Sequence, residues 1–263
     1  AAFFMKFDSA RLITMFIFYL FTAGLVLGSF FNSAGRRISE KISLIAPRSL
    51  CRVCKRQLGF SELIPVLSYL MQRGRCKGCQ TPLSIVYPAV ELSAAILFAF
   101  AGMHVGHEGE LVIVLALISL LLIVFVSDVT HMIIPDAVLC FFLPVFAVGR
   151  FLVPLEQWHS SLSGAMAGGM LPLLTLLLTK GGIGWGDVKL FAVIGMALGS
   201  RLLVLAFFLS AAAGTVLGLI ALLAGKLKKN EPMPFAPAIL AGTLTSCFYG
   251  EPMIEWYLQT AWW

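Results

Sequence analysis

The chain has 263 residues, a formal net charge of +6, 59% hydrophobic and only 12% charged residues, and a mean hydropathy of +0.94. A soluble domain carries about twice that share of charge. The apolar residues also fall in blocks of membrane-spanning length, which excludes a water-soluble globular protein and predicts an all-α polytopic membrane protein.

Residues 12–31 contain no charge, enough for one span of about 30 Å. This block is too long and too late for a typical cleaved signal. Gly24 and Gly28 within it make a small-xxx-small pattern that predicts close packing against another helix. Asn32 stands at its boundary as a cap or a tie between loop and bundle.

Residues 34–82 change character. Ten Lys and Arg residues fall here against Glu40 and Glu62. The positive-inside rule places this segment in the cytoplasm, and its charge fits contact with anionic lipid rather than nucleic acid. It holds Cys51-Arg52-Val53-Cys54 and Cys76-Lys77-Gly78-Cys79, with 21 residues between the pairs. Four thiolates so spaced can close a tetrahedron on Zn²⁺, and a segment too small for an apolar core gains its fold from such a metal. The set leaves no open position, so the zinc is structural. Iron–sulfur binding and disulfides are the rivals, the latter disfavoured by a reducing compartment. Residues 64–70 between the pairs suggest a short helix on the membrane surface. Cys140 and Cys247, alone in apolar runs, read as packing residues.

A second span is predicted at residues 85–103, with Glu91 inside it. An acid there is costly and faces either a wet cavity or a polar partner. His104 and His107 read as surface residues. A third span, 111–127, delivers Asp128, after which His131 and Asp136 share a loop; Asp128 and Asp136 are a possible metal pair. Further spans follow at 137–153, 162–179, 188–199, 202–224 and 234–248, with the shortest, 188–199, tilted or broken. The glycine-rich stretch before Asp187 lacks the Lys-Ser/Thr ending of a phosphate loop and follows a span rather than a strand, so it does not predict nucleotide binding. Its glycines suit a bend or close approach by a peptide backbone, and Lys189 stands near enough in sequence to meet a carboxylate. Trp256, Tyr257, Trp262 and Trp263 read as interface anchors.

Eight spans put all but four of the nineteen Lys and Arg residues on the cytoplasmic side, the four being Lys6, Arg11, Arg150 and Arg201. The same count brings Asp128 and Asp187 to one face of the membrane. Two carboxylates held close can divide the work of acid and base. The alternatives are that each Asp caps the helix after it, or serves an ion site or packing. The expected organisation is a first helix (12–33), a basic tetracysteine domain (34–84), a helical bundle carrying the two Asp residues (85–249) and an aromatic tail (250–263).

Several strings in this order resemble the bacterial prepilin peptidases, membrane aspartic peptidases of the GxGD type. They are Gly28-Ser29-Phe30-Phe31-Asn32, the two cysteine pairs, Asp128 with Ile134-Pro135-Asp136, Gly184-Trp185-Gly186-Asp187-Val188-Lys189-Leu190, and Pro234-Phe235-Ala236-Pro237. The resemblance runs from about residue 20 to residue 243 of the chain. It implies Asp128 and Asp187 as the catalytic dyad and Cys51, Cys54, Cys76 and Cys79 as zinc ligands. The implied substrates are type IV prepilins and type II secretion pseudopilins in the bacterial inner membrane, cut after a glycine between a short basic leader and an apolar helix. Methylation of the new N-terminal residue, usually Phe, with S-adenosylmethionine as donor is implied as well. The chain departs from the family at Val86, where an Arg commonly precedes Tyr-Pro, and at Ala236, where Gly is common. A peptidase without methyl transfer and an ion-coupled transporter are the alternative functions.

Overall fold

The computed structural model describes residues 2–44, 50–51, 53–106, 108–155, 157, 159–179, 183–225 and 233–261, with backbone alone for 2–10 and 261. Eight α-helices account for most of them. By length and composition, five segments among the described residues can cross a membrane: Arg11–Ser39, Val86–His104, Glu108–His131, Ser160–Leu178 and Trp185–Leu223. The protein is therefore all-α and largely membrane-spanning. Its contacts divide it into two compact units, Ala1–Leu111 and Val112–Trp263.

In the first unit, α1 (Ala2–Ser39) packs along α3 (Val86–His104). The two glycines singled out above lie on the seam. A Cβ on Gly24 would stand 2.6 Å from the Ala94 carbonyl oxygen, and one on Gly28 would stand 2.7 Å from the Glu91 Cα. Larger residues at either place would push the helices apart. Ala94, Ala95 and Ala101 supply the small surface opposite. In sequence between these helices lie a 3₁₀ turn, Phe60–Glu62, and the short helix α2 (Leu67–Met71), which overlaps the stretch 64–70 predicted as a surface helix.

The second unit takes up α4 (Glu108–His131), α5 (Asp136–Leu152), α6 (Ser160–Leu178), α7 (Trp185–Leu223) and α8 (Ala236–Ala261). α4 is apolar all round, as a central helix must be, and Leu117, Ile118, Leu120, Leu121 and Val124 on it are fully enclosed. α7 is the hub, touching α5, α6 and α8. It is two helices joined at Gly199, whose φ of 79° and ψ of 171° only glycine adopts readily. This is the place where the apolar pattern predicts a break. Both new ends are capped: the buried Arg150 Nε donates to the Ala197 carbonyl at 2.7 Å, and Ser200 N–H donates to Ser160 Oγ at 3.3 Å. The break makes the first half of α7 a short rod, with Asp187 in its first turn and a cation at its far end, as the helix dipole favours.

α8 continues as helix through Pro252 to Ala261, so Trp256 and Tyr257 are exposed residues on a helix. Cys140 is exposed, unlike a packing residue, and Cys247 is half-buried. His104 is exposed and stacks on Phe100. His107, Lys180 to Gly182, residues 226–232, Trp262 and Trp263 lie outside the described residues.

Candidate active site and metal centre

Asp128 sits one turn before the end of α4 and is 7% exposed. Its Oδ2 accepts the Ala236 N–H at 2.8 Å, and the Phe235 N–H also reaches the carboxylate. Asp128 thus caps α8, a helix 108 residues later in the chain, rather than the helix that follows it. The first N–H groups of a helix have no partner within it and carry partial positive charge, so a carboxylate is well held there. The Pro234-Phe235-Ala236-Pro237 string acts here through its backbone.

Asp187 is the third residue of α7 and is 8% exposed. Its Oδ2 reaches back to the Gly184 N–H at 3.0 Å, so this acid does cap its own helix. The capping alternative is therefore correct for Asp187 and takes an unforeseen form for Asp128. Capping alone does not require burial, nor that two acids from different helices stand within Coulombic reach, as these do. Both are anchored through backbone N–H groups. Such donors do not titrate, so each carboxyl keeps its orientation whether or not it carries a proton.

One contact folds the loop after Asp128 onto its own helix, and two fix it against the start of α7. Ser127 Oγ donates to the Ile133 carbonyl at 2.5 Å, folding the loop back on α4. A Cβ on Gly186 would lie 2.9 Å from the Ile134 Cβ, so glycine is what lets the turn approach. Asp136, first residue of α5, receives Lys189 Nζ on both oxygens at 2.8 and 2.9 Å. Lys189 therefore does meet a carboxylate, that of Asp136, whose two oxygens are taken up by it.

Glu91 belongs to the first unit. Its Oε2 accepts the Val66 N–H at 2.7 Å, and Ser29 bonds it from α1. Of the two readings of this acid, polar partner or wet cavity, these bonds favour the first. Asn32 ties α1 to α3 by donating to the Tyr87 carbonyl at 3.0 Å, and it also donates to the Gly28 carbonyl of its own helix at 3.3 Å. Arg36 donates to the Tyr87 hydroxyl, and its guanidinium lies over the Tyr87 ring.

The four cysteines converge. Cys51, Cys54, Cys76 and Cys79 place their sulfurs within 4.8 Å of one another, with Cys51 and Cys79 Sγ 3.7 Å apart. Four metal–sulfur bonds of about 2.3 Å in a tetrahedron need sulfurs about 3.8 Å apart, so the set fits one zinc-sized ion. Each pair sits in the same turn. Cys51 N–H donates to the Arg56 carbonyl and Lys55 N–H to the Cys51 carbonyl; Cys76 with Thr81 and Gln80 with Cys76 repeat this. Lys55 and Gln80 both have positive φ, at 56° and 57°. The recurring CxxC was the visible part of a six-residue structural repeat.

Local polarity prepares some of the thiols. The Thr81 hydroxyl and N–H bring Cys79 down to about 6. The Cys79 and Gly78 N–H groups lower Cys76. At Cys54 the Arg56 N–H also acts downward, but bonds with the other sulfurs and lost hydration outweigh it and push the thiol up to about 11. A bound cation would deprotonate such a group outright. Arg56 continues outward to the buried Glu62 at 2.7 Å, and Glu62 also accepts the Gly59 N–H at 2.8 Å. The Arg56 pairing, then the Gly59 bond, hold the Glu62 carboxyl below the usual range.

Comparison with known proteins follows the same division. The Bacterial Peptidase A24 N-terminal domain matches residues 22–105, and the Type IV leader peptidase family matches residues 115–219. A prepilin leader peptidase/N-methyltransferase of Bacillus subtilis (strain 168) is 48% identical over 242 residues, 92% of this chain and 98% of that protein. Proteins of the same name from Burkholderia pseudomallei (strain 1026b) and Legionella pneumophila are 34% and 32% identical, over 82% and 87% of this chain and 71% and 81% of theirs. No solved structure matches the chain significantly.

Proposed function

The chain belongs to the type IV leader peptidase family, and from that membership we propose that it is a membrane aspartic endopeptidase and N-methyltransferase acting on prepilins. The cut removes the short basic leader of type IV prepilins and type II secretion pseudopilins after a glycine. The new N-terminal residue, usually Phe, is then methylated. The observation that carries the peptidase reading is the pair Asp128 and Asp187: buried, brought from different helices, anchored by backbone N–H groups and within Coulombic reach.

One carboxylate takes a proton from water, whose oxygen attacks the scissile carbonyl. The other, protonated, donates a hydrogen bond to that carbonyl as its oxygen gains charge. Collapse of the tetrahedral intermediate breaks the C–N bond, and a proton passes to the leaving amine. The two roles belong to the pair rather than to a named member, because such dyads titrate as a unit. Asp136 and Lys189 act as positioning residues by holding the loop after Asp128 to the start of α7.

The Cys₄ cluster holds a structural Zn²⁺ in this reading, supported by sulfur spacing and by two like turns. The eight-span topology follows if α5, α8 and both halves of α7 cross along with α1, α3, α4 and α6. The tetracysteine segment and the dyad then share the cytoplasmic side of the bacterial inner membrane. S-adenosylmethionine supplies the methyl group when bound. Glu62 and Glu91, the two buried carboxylates of the first unit, are held by hydrogen bonds within the chain, and no methyl-transfer step is assigned to a residue.

Co-expression with a prepilin, followed by intact-mass measurement of the pilin, reads both activities. Wild type should give leader loss plus one methyl group. Asp128→Asn and Asp187→Asn should each lower cleavage by about 10²-fold or more, since an amide keeps the shape but cannot shuttle a proton. Normal cleavage by either inserted variant would remove the dyad. Leader loss without the methyl mass in wild type would leave a peptidase only.

A further inference from the structure

The segment between the cysteine pairs combines a strained turn, a buried acid and an uncovered apolar face. Val66 has φ 60° and ψ −50°, and Leu67 N–H donates to the Pro65 carbonyl at 2.5 Å around it. This is a γ-turn of the rare positive-φ kind, and a β-branched residue tolerates it poorly. It persists because something holds it. The Val66 N–H is donated to Glu91 Oε2 at 2.7 Å, and Glu91 is buried. Glu91 lies five residues into α3, about 7.5 Å along the axis from the helix start.

A chain tied to that point lies level with the first turns of a membrane-spanning helix. Around the tie the surface is apolar. Phe60 is 89% exposed, and Leu67, Leu70 and Met71 are 57%, 64% and 75% exposed. In water this would be an unusually greasy short stretch. Exposed Arg73 and Arg75 follow at once. Apolar residues bordered by arginine match the boundary between acyl chains and acidic headgroups.

We propose that residues 60–71 are embedded in the bilayer interface, with Glu91 tethering the Val66 turn at depth, the apolar side chains among lipid and Arg73 and Arg75 at anionic headgroups. The occupant of this face is lipid. The tetracysteine site is thereby held close to the membrane surface, on whichever side it lies. The inference does not depend on the peptidase reading.

Full-length protein in vesicles of phosphatidylethanolamine and phosphatidylglycerol provides the test. The photoreactive residue p-benzoylphenylalanine is placed singly at Leu70 or Met71. Phe151, 86% exposed on α5, serves as a lipid-facing reference, and Lys55 as a water-facing one. After irradiation, mass spectrometry reads lipid adducts. Leu70 and Met71 should give yields like that of Phe151 and severalfold above that of Lys55. Yields at the Lys55 level, or adducts to another polypeptide in place of lipid, would overturn the proposal. Glu91→Ala should lower the Leu70 yield severalfold relative to Phe151 in the same variant, a ratio from which general loss of protein cancels. An unchanged ratio would remove the tether.

Discussion

At the scale of single residues, the proposed chemistry rests on how backbone groups present two acids. Asp128 is held by the start of α8 and Asp187 by its own turn, so neither relies on a mobile side chain for aim. Asp136 and Lys189 differ in kind. Both are exposed, with side-chain accessibilities of 64% and 54%, and a pair in that setting contributes only about 0–1 kcal/mol to stability. Its proposed part is to hold the loop after Asp128 to the first turn of α7. Asp136→Asn is therefore expected to leave thermal stability nearly unchanged while lowering kcat severalfold. The double change Asp136→Lys with Lys189→Asp should recover part of that loss. Unfolding curves and prepilin cleavage rates on the same samples check it; equal kcat in wild type and Asp136→Asn would show the pair to be a surface ornament.

At the scale of elements, the break in α7 and the tetracysteine segment are the two devices that set geometry. Gly199 occupies a backbone conformation that costs other residues about 1–3 kcal/mol, and a Cβ there would lie 2.7 Å from both Leu155 Cδ1 and Ser160 Oγ. Gly199→Ala should lower stability by at least that amount or shift the first half of α7. Cleavage should fall as well, because Asp187 rides on that half. Thermal unfolding in detergent alongside an activity assay decides it. For the cysteines, metal-stripped protein offers a sharper measurement than metal content alone. Where the two turns keep their hydrogen bonds without the metal, Cys79, at about 6, should be alkylated near pH 7 far faster than Cys54, at about 11; equal rates would mean that the turns are lost with the metal. Exposure alone predicts the reverse, since Cys54 is exposed and Cys79 half-buried. Peptide mapping after brief iodoacetamide treatment gives the order, and zinc should protect all four sites.

At the scale of the whole molecule, the two compact units coincide closely with the two family matches, 22–105 and 115–219. The first unit brings the cysteines together, and the second carries both aspartates. An eight-span chain makes a direct topological statement: a reporter fused after Lys229 reads cytoplasmic, and one fused after Trp263 reads on the opposite side. A common compartment for the two fusions would mean that α8 does not cross, and the proposed arrangement would lose its last span.

Much of this architecture was legible in the chain because local physics writes it there. Uncharged runs of about twenty residues must be helices in a bilayer, since no other open structure satisfies its backbone. The short span 188–199, expected to be tilted or broken, ends at the break, two CxxC strings marked the tetracysteine cluster, and Asp128 and Asp187 stood out because acids at apolar boundaries are costly. What the sequence could not show are contacts between residues far apart along it. Asp128 meets Ala236 across 108 residues, Lys189 meets Asp136 across 53, Arg150 meets Ala197 across 47, and Glu91 meets Val66 across 25. No periodicity links such partners, and Ala236 and Val66 take part only through backbone N–H groups that every residue but proline possesses. The sequence by itself determined which apolar segments are helical and which residue types are available for chemistry, though not how far α8 runs past them. Only the tertiary structure decided which backbone donors orient the two aspartates, because hydrogen-bond direction depends on how helices pack and not on the order in which they are joined.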